Sequence, residues 1–323
     1  MWLVVALSFT IPLGLDLFMP VPEDNPLTRE KVELGRRLFQ DRRLSRDGRV
    51  ACVSCHDSRR AFSSSQAQAI GVFNRKGRRN APALINRAWG RSFFWDGRVS
   101  TLEEQVLKPI QDPNEMDLTL AEAERRVGLD ATTISRALAS YVRSVLSGDA
   151  PYDRFINGDR GALSQAQQRG LRIFRGRGNC TACHVGPTFS DERLHNTGVA
   201  WRDGPGGSRR LPPASGSGAA AETDHAAAVT GVFTDPGGFG VTNRLEDRGA
   251  FKTPTLREVA RTSPYMHDGS LRTLEEVVDF YSDGGRRNPA QDPEIRPLRL
   301  TSTEKRALVA FLKSLSGTIR EGN

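Results

Sequence analysis

The chain has 323 residues, room for two domains, with 37% apolar residues and a formal charge of +8. The apolar share is low for that length. The arginines are scattered and lack the aromatic interleaving of a nucleic-acid surface, which argues against nucleic acid as a partner and favours an acidic protein.

From the N-terminus, Trp2 to Leu15 is almost wholly apolar and Asp16 ends the run. The run is too short to span a membrane and resembles the apolar region of a signal peptide. It lacks a basic start and a small-x-small cleavage site, so a retained anchor or a mis-assigned start is the alternative. Segment 1–15 is therefore set apart from an N-terminal domain, 16–150, and a C-terminal domain, 151–323. The boundary falls in the stretch from Gly148 to Gly161.

Further along, Thr101-x-x-Glu104 and Thr273-x-x-Glu276 read as capping boxes opening short helices, and Ser164-x-x-Gln167 caps another. Apolar residues recur at helical spacing from Ile134 to Leu146 and from Leu308 to Leu315. Strong strand alternation appears nowhere. The expected fold is mainly α.

Two motifs use all four cysteines: Cys52-Val53-Ser54-Cys55-His56 and Cys180-Thr181-Ala182-Cys183-His184. Each is Cys-x-x-Cys-His, the attachment signature of c-type haem. The cysteines form thioether links to the macrocycle and the histidine reaches the iron. Zinc would require both pairs to form one tetrahedral set, and a redox dithiol needs no trailing histidine. Two covalently bound haem c groups are expected, and their bulk would supply much of the missing core. Such attachment takes place outside the bacterial cytoplasmic membrane, so a periplasmic location is expected.

The chain also contains itself twice. Gly35 and Phe39 precede the first motif as Gly170 and Phe174 precede the second. Pro82-Ala83-Leu84 aligns with Pro254-Thr255-Leu256, Asp96-Gly97 with Asp268-Gly269, and Thr101-Leu102-Glu103-Glu104 with Thr273-Leu274-Glu275-Glu276, all at one offset. Two cytochrome c-like haem domains related by an internal repeat are expected. The second half holds extra residues, placed at 202–229, whose Gly, Pro, Ser and Ala content reads as a loop insertion carrying His225.

The second axial position decides the chemistry, because an iron with an open site can bind peroxide. No histidine lies between Asp57 and Cys183, and Met116 is the one sulfur-bearing side chain available there. Tyr281 aligns with Pro109. The first haem is read as open and the second as capped by Tyr281, with Met266 the alternative. His195 and His267 are expected to bond propionates or backbone rather than iron.

The chain resembles the bacterial di-haem cytochrome c peroxidase family, in its MauG-like branch, over residues 16 to 316. The resemblance is carried by PVPEDNPLT from Pro20 to Thr28, RNAPAL from Arg79, FFWDGR from Phe93 and EEQVLKPI from Glu103. It continues in NEM from Asn114, FKTPTLR from Phe251 and PYMHDGS from Pro264. It implies that Trp95 lies between the haems, against a simpler reading as core packing. It places Gln105 and Glu115 over the peroxide-binding iron, although Glu115 also reads as an exposed acid at a helix start. Pro109 matches a distal-pocket proline. Asn80, with the backbone oxygens of Thr262 and Pro264, matches a calcium site between the domains. Tyr281 falls where peroxidases carry methionine and MauG-like proteins tyrosine, and Val72 where many peroxidases carry a distal histidine.

The implied activity uses hydrogen peroxide at the open first haem to form a high-valent state shared with the second. That state would oxidise a partner protein by tryptophan modification. The alternatives are peroxide detoxification with electrons from a small cytochrome or cupredoxin, and a non-enzymatic electron-transfer cytochrome.

Overall fold

The computed structural model describes residues 10–204 and 231–322. In the first half, helix α1 (Arg29–Phe39) begins where the Thr28 hydroxyl accepts the Lys31 N–H at 3.3 Å. Helix α2 (Cys52–Cys55) carries the first motif, and α3 (Leu102–Gln105) and α4 (Lys108–Gln111) follow. Helix α5 (Leu120–Val127) leads into α6 (Ala131–Arg143), which is capped by Asp130. The apolar face of α1, Val32, Leu38 and Phe39, packs on α6. The approach requires glycine at 35, since a Cβ there would overlap the Ala137 carbonyl. Phe39, Phe62 and Tyr141 meet edge to face beneath the first motif.

Strand β1 (Leu146–Gly148) leads into α7 (Pro151–Ile156) and α8 (Gln165–Arg175). Helix α8 opens with the expected capping box: Gln167 N–H donates to Ser164 Oγ at 3.3 Å and Ser164 N–H to Gln167 Oε1 at 2.8 Å. After the second motif come β2 (Leu194–His195), β3 (Trp201–Asp203), β4 (Gly231–Phe233), α9 (Phe239–Thr242) and β5 (Phe251–Lys252). Helices α10 (Leu274–Ser282) and α11 (Ser302–Lys313) and strand β6 (Thr318–Arg320) complete the chain. Helix α8 packs on α11 as α1 does on α6, and a Cβ at Gly170 would overlap the Ala307 carbonyl. Phe174, Phe189, Tyr152 and Phe311 form the aromatic cluster on this side. One buried apolar cluster draws on residues 27–145 and a second on residues 163–315.

The fold is mainly helical, with short antiparallel ladders that the sequence pattern did not suggest: β1 with β6, β2 with β5, and β3 with β4. Two or three residues per strand are too few to show alternation. Arg202 and Asp203, expected to open the loop insertion, lie in the β3–β4 ladder instead. Residues 205–230, with His225, lie outside the described residues.

Strand β6 returns to the first half, where Ser147 pairs with Ile319 and the Tyr141 hydroxyl bonds Glu321 at 2.9 Å. Residues at the end of the 151–323 unit thus complete the packing of the first. The apolar N-terminal run also reaches the folded body. Leu13 N–H donates to Asp149 at 2.9 Å, and the Gly14 carbonyl accepts from Arg257 at 2.7 Å. Pro12 and Leu15, at the end of the segment assigned to 1–15, are buried. Among the described residues no helix is long and apolar enough to cross a membrane.

Thr101 and Thr273 cap α3 and α10 through the Glu104 and Glu276 N–H groups, both at 3.1 Å. Neither box is reciprocal: the Glu276 carboxylate accepts from Arg272 N–H at 2.6 Å, and the Glu104 carboxylate lies 3.2 Å from Lys108 Nζ. The two apolar periods mark α6 and α11, each beginning upstream of its apolar run at a polar cap, Asp130 and Thr301.

Candidate active site

A cavity of about 780 Å³ runs between the halves, and both Cys-x-x-Cys-His motifs open onto it. His56 follows α2, and its Nδ1 lies 2.9 Å from the Phe62 carbonyl. His184 repeats this, with Nδ1 2.8 Å from the Phe189 carbonyl. A ring that donates from Nδ1 keeps its lone pair on Nε2, the arrangement of a metal-bound imidazole. Burial pushes the pKa of both rings down, which keeps them neutral and able to ligate. Burial also pushes the Cys52 and Cys180 thiols up to about 12 and Cys55 to about 11. A redox dithiol would instead have a depressed thiol pKa. Among the described residues the one cluster of metal-type donors is Cys183, Asp191 and His195, so the two cysteine pairs do not converge as zinc would need.

On the first-half wall stand Gln105 at the end of α3, Pro109 in α4, and Glu115. Glu115 is held by its backbone: its N–H donates to Asp112 O at 3.0 Å and its carbonyl accepts from Val72 N–H at 2.8 Å. A Cβ at Gly71 would overlap the Asn114 and Glu115 backbone, so the Gly71–Val72 loop lies flat against the acid. Burial raises the Glu115 carboxyl to about 7, with Asp112 adding and Arg98 opposing. Val72 is fully buried and offers no ligand. Met116 is buried in the first apolar cluster.

Trp95 lines the cavity and is bonded to both halves. Its indole N–H donates to Asn80 O at 2.8 Å, and its carbonyl accepts from Lys252 N–H at 2.7 Å. On the second-half wall, Tyr281 projects from α10 close to the second motif. Burial, and then the Cys183 and Cys180 sulfurs, push its hydroxyl pKa well up. Met266, in the left-handed backbone region at φ +72°, lines the same cavity.

His195 and His267 are the other two histidines among the described residues. His195 is gripped by two carboxylates, Asp292 at 2.5 Å and Asp191 at 2.9 Å. The His267 ring stacks on Phe251, with centroids 3.5 Å apart and planes at 11°, and burial pushes its pKa down to about 4. The Asp292 partner of His195 was not visible in the sequence, since it lies nearly a hundred positions away.

Asn80 is buried, donates from Nδ2 to Gln66 O at 2.9 Å, and receives none at Oδ1 among the described residues. The same holds for the carbonyls of Thr262 and Pro264, and all three residues line the cavity. Free oxygens of this kind suit a hard cation.

A further group carried no sequence signal. Arg87 donates twice to Glu192, at 3.0 and 3.1 Å, and Lys252 Nζ lies 3.4 Å from the same carboxylate. All three are largely buried, and both cations reach the cavity wall. Burial, and then Arg87, push the Lys252 pKa down to about 8. Two cations against one carboxylate leave positive charge facing the cavity, which fits a haem propionate. Together with the two Nδ1-anchored imidazoles, the donor set fits two haem groups.

A family model described as di-haem cytochrome c peroxidase matches residues 29–132. The methylamine utilization protein MauG of Methylorubrum extorquens is 35% identical, with 92% of this chain and 81% of its own covered. The cytochrome-c peroxidase IdrP2 of Denitromonas iodatirespirans is 37% identical, covering 92% and 84%. The crystal structure of a MauG-like protein associated with microbial copper homeostasis aligns with a TM-score of 0.77 at 33% identity, covering 98% of this chain and 96% of that one. With two histidines poised over one shared cavity and relatives matching along nearly its whole length, the chain belongs to the di-haem cytochrome c peroxidase family of haem-dependent oxidoreductases.

Proposed function

We propose that this chain uses hydrogen peroxide to oxidise a partner protein in the manner of the MauG-like branch, by modifying a tryptophan. The observation that carries the reading is the half-buried Tyr281 facing the second Cys-x-x-Cys-His motif, while among the described residues the first-half wall offers, opposite His56, Gln105, Pro109 and Glu115 and no second histidine or methionine. Haem, when bound, supplies the iron that holds peroxide and the electrons that break its O–O bond. Glu115 takes the proton from the inner peroxide oxygen and delivers it to the outer one, so that water leaves. The Gln105 carboxamide orients the peroxide, and Pro109 keeps the site free of a ligand. Trp95, fixed to Asn80 and Lys252, couples the two haem sites across the cavity.

The two halves are read as cytochrome c-like domains derived from one repeat, supported by the matching Gly35–Ala137 and Gly170–Ala307 contacts. Asn80 Oδ1 and the carbonyls of Thr262 and Pro264 are read as a calcium site, and the haem attachment chemistry as periplasmic.

A second reading, peroxide detoxification with electrons from a small cytochrome or cupredoxin, is favoured by Met266 on the same wall. A redox titration separates the two. An anionic tyrosine ligand gives the second haem a low potential, and Tyr281→Met should raise it and speed cytochrome oxidation. A thioether–iron absorption band in the wild type, with rapid cytochrome turnover, would establish the second reading instead.

A further inference from the structure

The exposed face of α8 carries Arg169, Arg172 and Arg175, and the helix contains no acidic residue. A spacing of three places the guanidinium groups along one ridge. Among the described residues, none of the three pairs with a carboxylate. Arg175 reaches only the Tyr152 hydroxyl, at 3.1 Å. Arg177, just past the helix, is by contrast held by Glu304 at 2.6 Å.

Beside this ridge lies a surface pocket of about 340 Å³ bounded by Phe155, Gln168, Leu171, Arg172, Arg175 and Gly176. Its floor is apolar, from buried Leu171 and half-buried Phe155. The Arg160 guanidinium stands 5.8 Å from the Phe155 ring centre. Ile156 next to it is 52% exposed.

The opposite face of α8 reaches the second haem site. Phe174 lines the central cavity, and its ring centre is 6.5 Å from that of His184. One helix thickness, about 10–12 Å, separates the arginine ridge from that site. Helix α1 holds the same place beside the first motif, with Phe39 6.3 Å from His56. Its exposed face, however, mixes Glu30 and Glu33 with its cations, and Arg29 pairs with Glu33 at 3.7 Å. The unbalanced charge is thus particular to the second site.

We propose that the α8 ridge and its pocket are the docking surface for an acidic partner protein. Partner carboxylates meet Arg169, Arg172 and Arg175, and an apolar or aromatic side chain seats on Phe155 and Leu171. Arginine beside an apolar floor is the composition of an interface anchor, and unpaired surface cations steer an acidic protein toward it. The proposal rests on the reading of this chain as an oxidant of partner proteins and names the face it uses. For a one-electron donor, two partner molecules each lose an electron while one hydrogen peroxide, with two protons, becomes two waters.

The test uses the haem-loaded enzyme, peroxide, and two reduced small cytochromes, one acidic and one lysine-rich, with hydroquinone as a small uncharged reductant. The variant Arg169→Glu/Arg172→Glu/Arg175→Glu should raise KM for the acidic cytochrome by about tenfold or more and flatten its salt dependence. Its kcat should stay within about twofold, the signature of lost binding rather than lost chemistry. Hydroquinone oxidation should match the wild type, which also reports an intact fold. The reversal Arg36→Glu/Arg37→Glu on α1 should leave KM unchanged. An unchanged KM in the α8 variant, an equal effect from the α1 variant, or a wild-type preference for the lysine-rich cytochrome overturns the docking surface. Failure of the wild type to oxidise hydroquinone with peroxide overturns the underlying reading instead.

Discussion

The indole N–H of Trp95 donates to the carbonyl oxygen of Asn80 at 2.8 Å, so the ring on the cavity wall is fixed to the residue whose free Oδ1 belongs to the proposed calcium site. The Asn80 N–H in turn donates to His267 O at 2.7 Å, which carries the connection into the second half. Trp95→Phe keeps an aromatic ring but leaves the Asn80 carbonyl without this donor. It should cost about 1 kcal/mol of stability, the typical worth of one such bond. Peroxide added to the reduced enzyme should oxidise the second haem more slowly, read as its Soret change in stopped flow. A calcium chelator should slow the same step in the wild type. Unaltered rates in both experiments would remove Trp95 and the cation from the coupling role.

Glu115 has its carboxyl raised to about 7 chiefly by burial. As a base it must be ionised, so peroxide turnover should rise with pH through about 7. Glu115→Gln should lower turnover by a factor of about 100 to 10,000, the usual span of acid–base effects, and abolish that rise. The stability consequence has the opposite direction. A carboxyl whose folded pKa lies above its unfolded value binds more protons when folded, so stability falls as pH rises from about 4.5 to about 7. Glu115→Gln should flatten that slope in denaturant titrations. A variant that keeps both pH dependences would show that another group titrates.

The helices α6 and α11 were legible from their apolar stripes and α8 from its polar cap, whereas α1 was not read from the sequence. The two haem motifs were legible because their spacing is covalent chemistry written locally. The β1–β6 ladder was not, since a three-residue strand has no pattern and its partner lies at the far end of the chain. Gln105, Pro109, Glu115, Trp95, Tyr281 and Met266 all face the cavity. The repeat and the family motifs pointed to them, while composition alone did not. Asp292 escaped notice because it meets His195 only when the second half folds, and the Arg87–Glu192–Lys252 group because Arg87 comes from the other half.

The glycine pair gives a test of the packing that precedes any haem chemistry. A Cβ at position 35 or 170 has nowhere to go but into the backbone carbonyl of the facing helix. Gly35→Ala and Gly170→Ala should each destabilise the fold by about 1–3 kcal/mol, the range for overpacking a tight contact, despite alanine's better helix propensity. Because the contacts involve different helix pairs, the double variant should show nearly additive losses in thermal melts. A stabilised alanine variant at either position would mean that the helices can separate freely.

Glu192 ties the two halves together. It accepts both guanidinium bonds from Arg87 in the first half and faces the Lys252 ammonium in the second. The lysine is already pushed down to about 8 by burial and by Arg87. Glu192→Gln leaves two buried cations without their counter-charge, and breaking a buried pair this way costs about 3–5 kcal/mol. Lys252 should then release its proton at lower pH, so the variant should recover part of its lost stability as pH rises through and above neutrality. Arg87→Gln removes the competing cation instead. It should leave Lys252 paired with Glu192 and raise the lysine's pKa, and so extend the charged pair to higher pH. Melting temperatures measured across pH 6 to 9 for both variants check the scheme, and parallel profiles for the two would count against it.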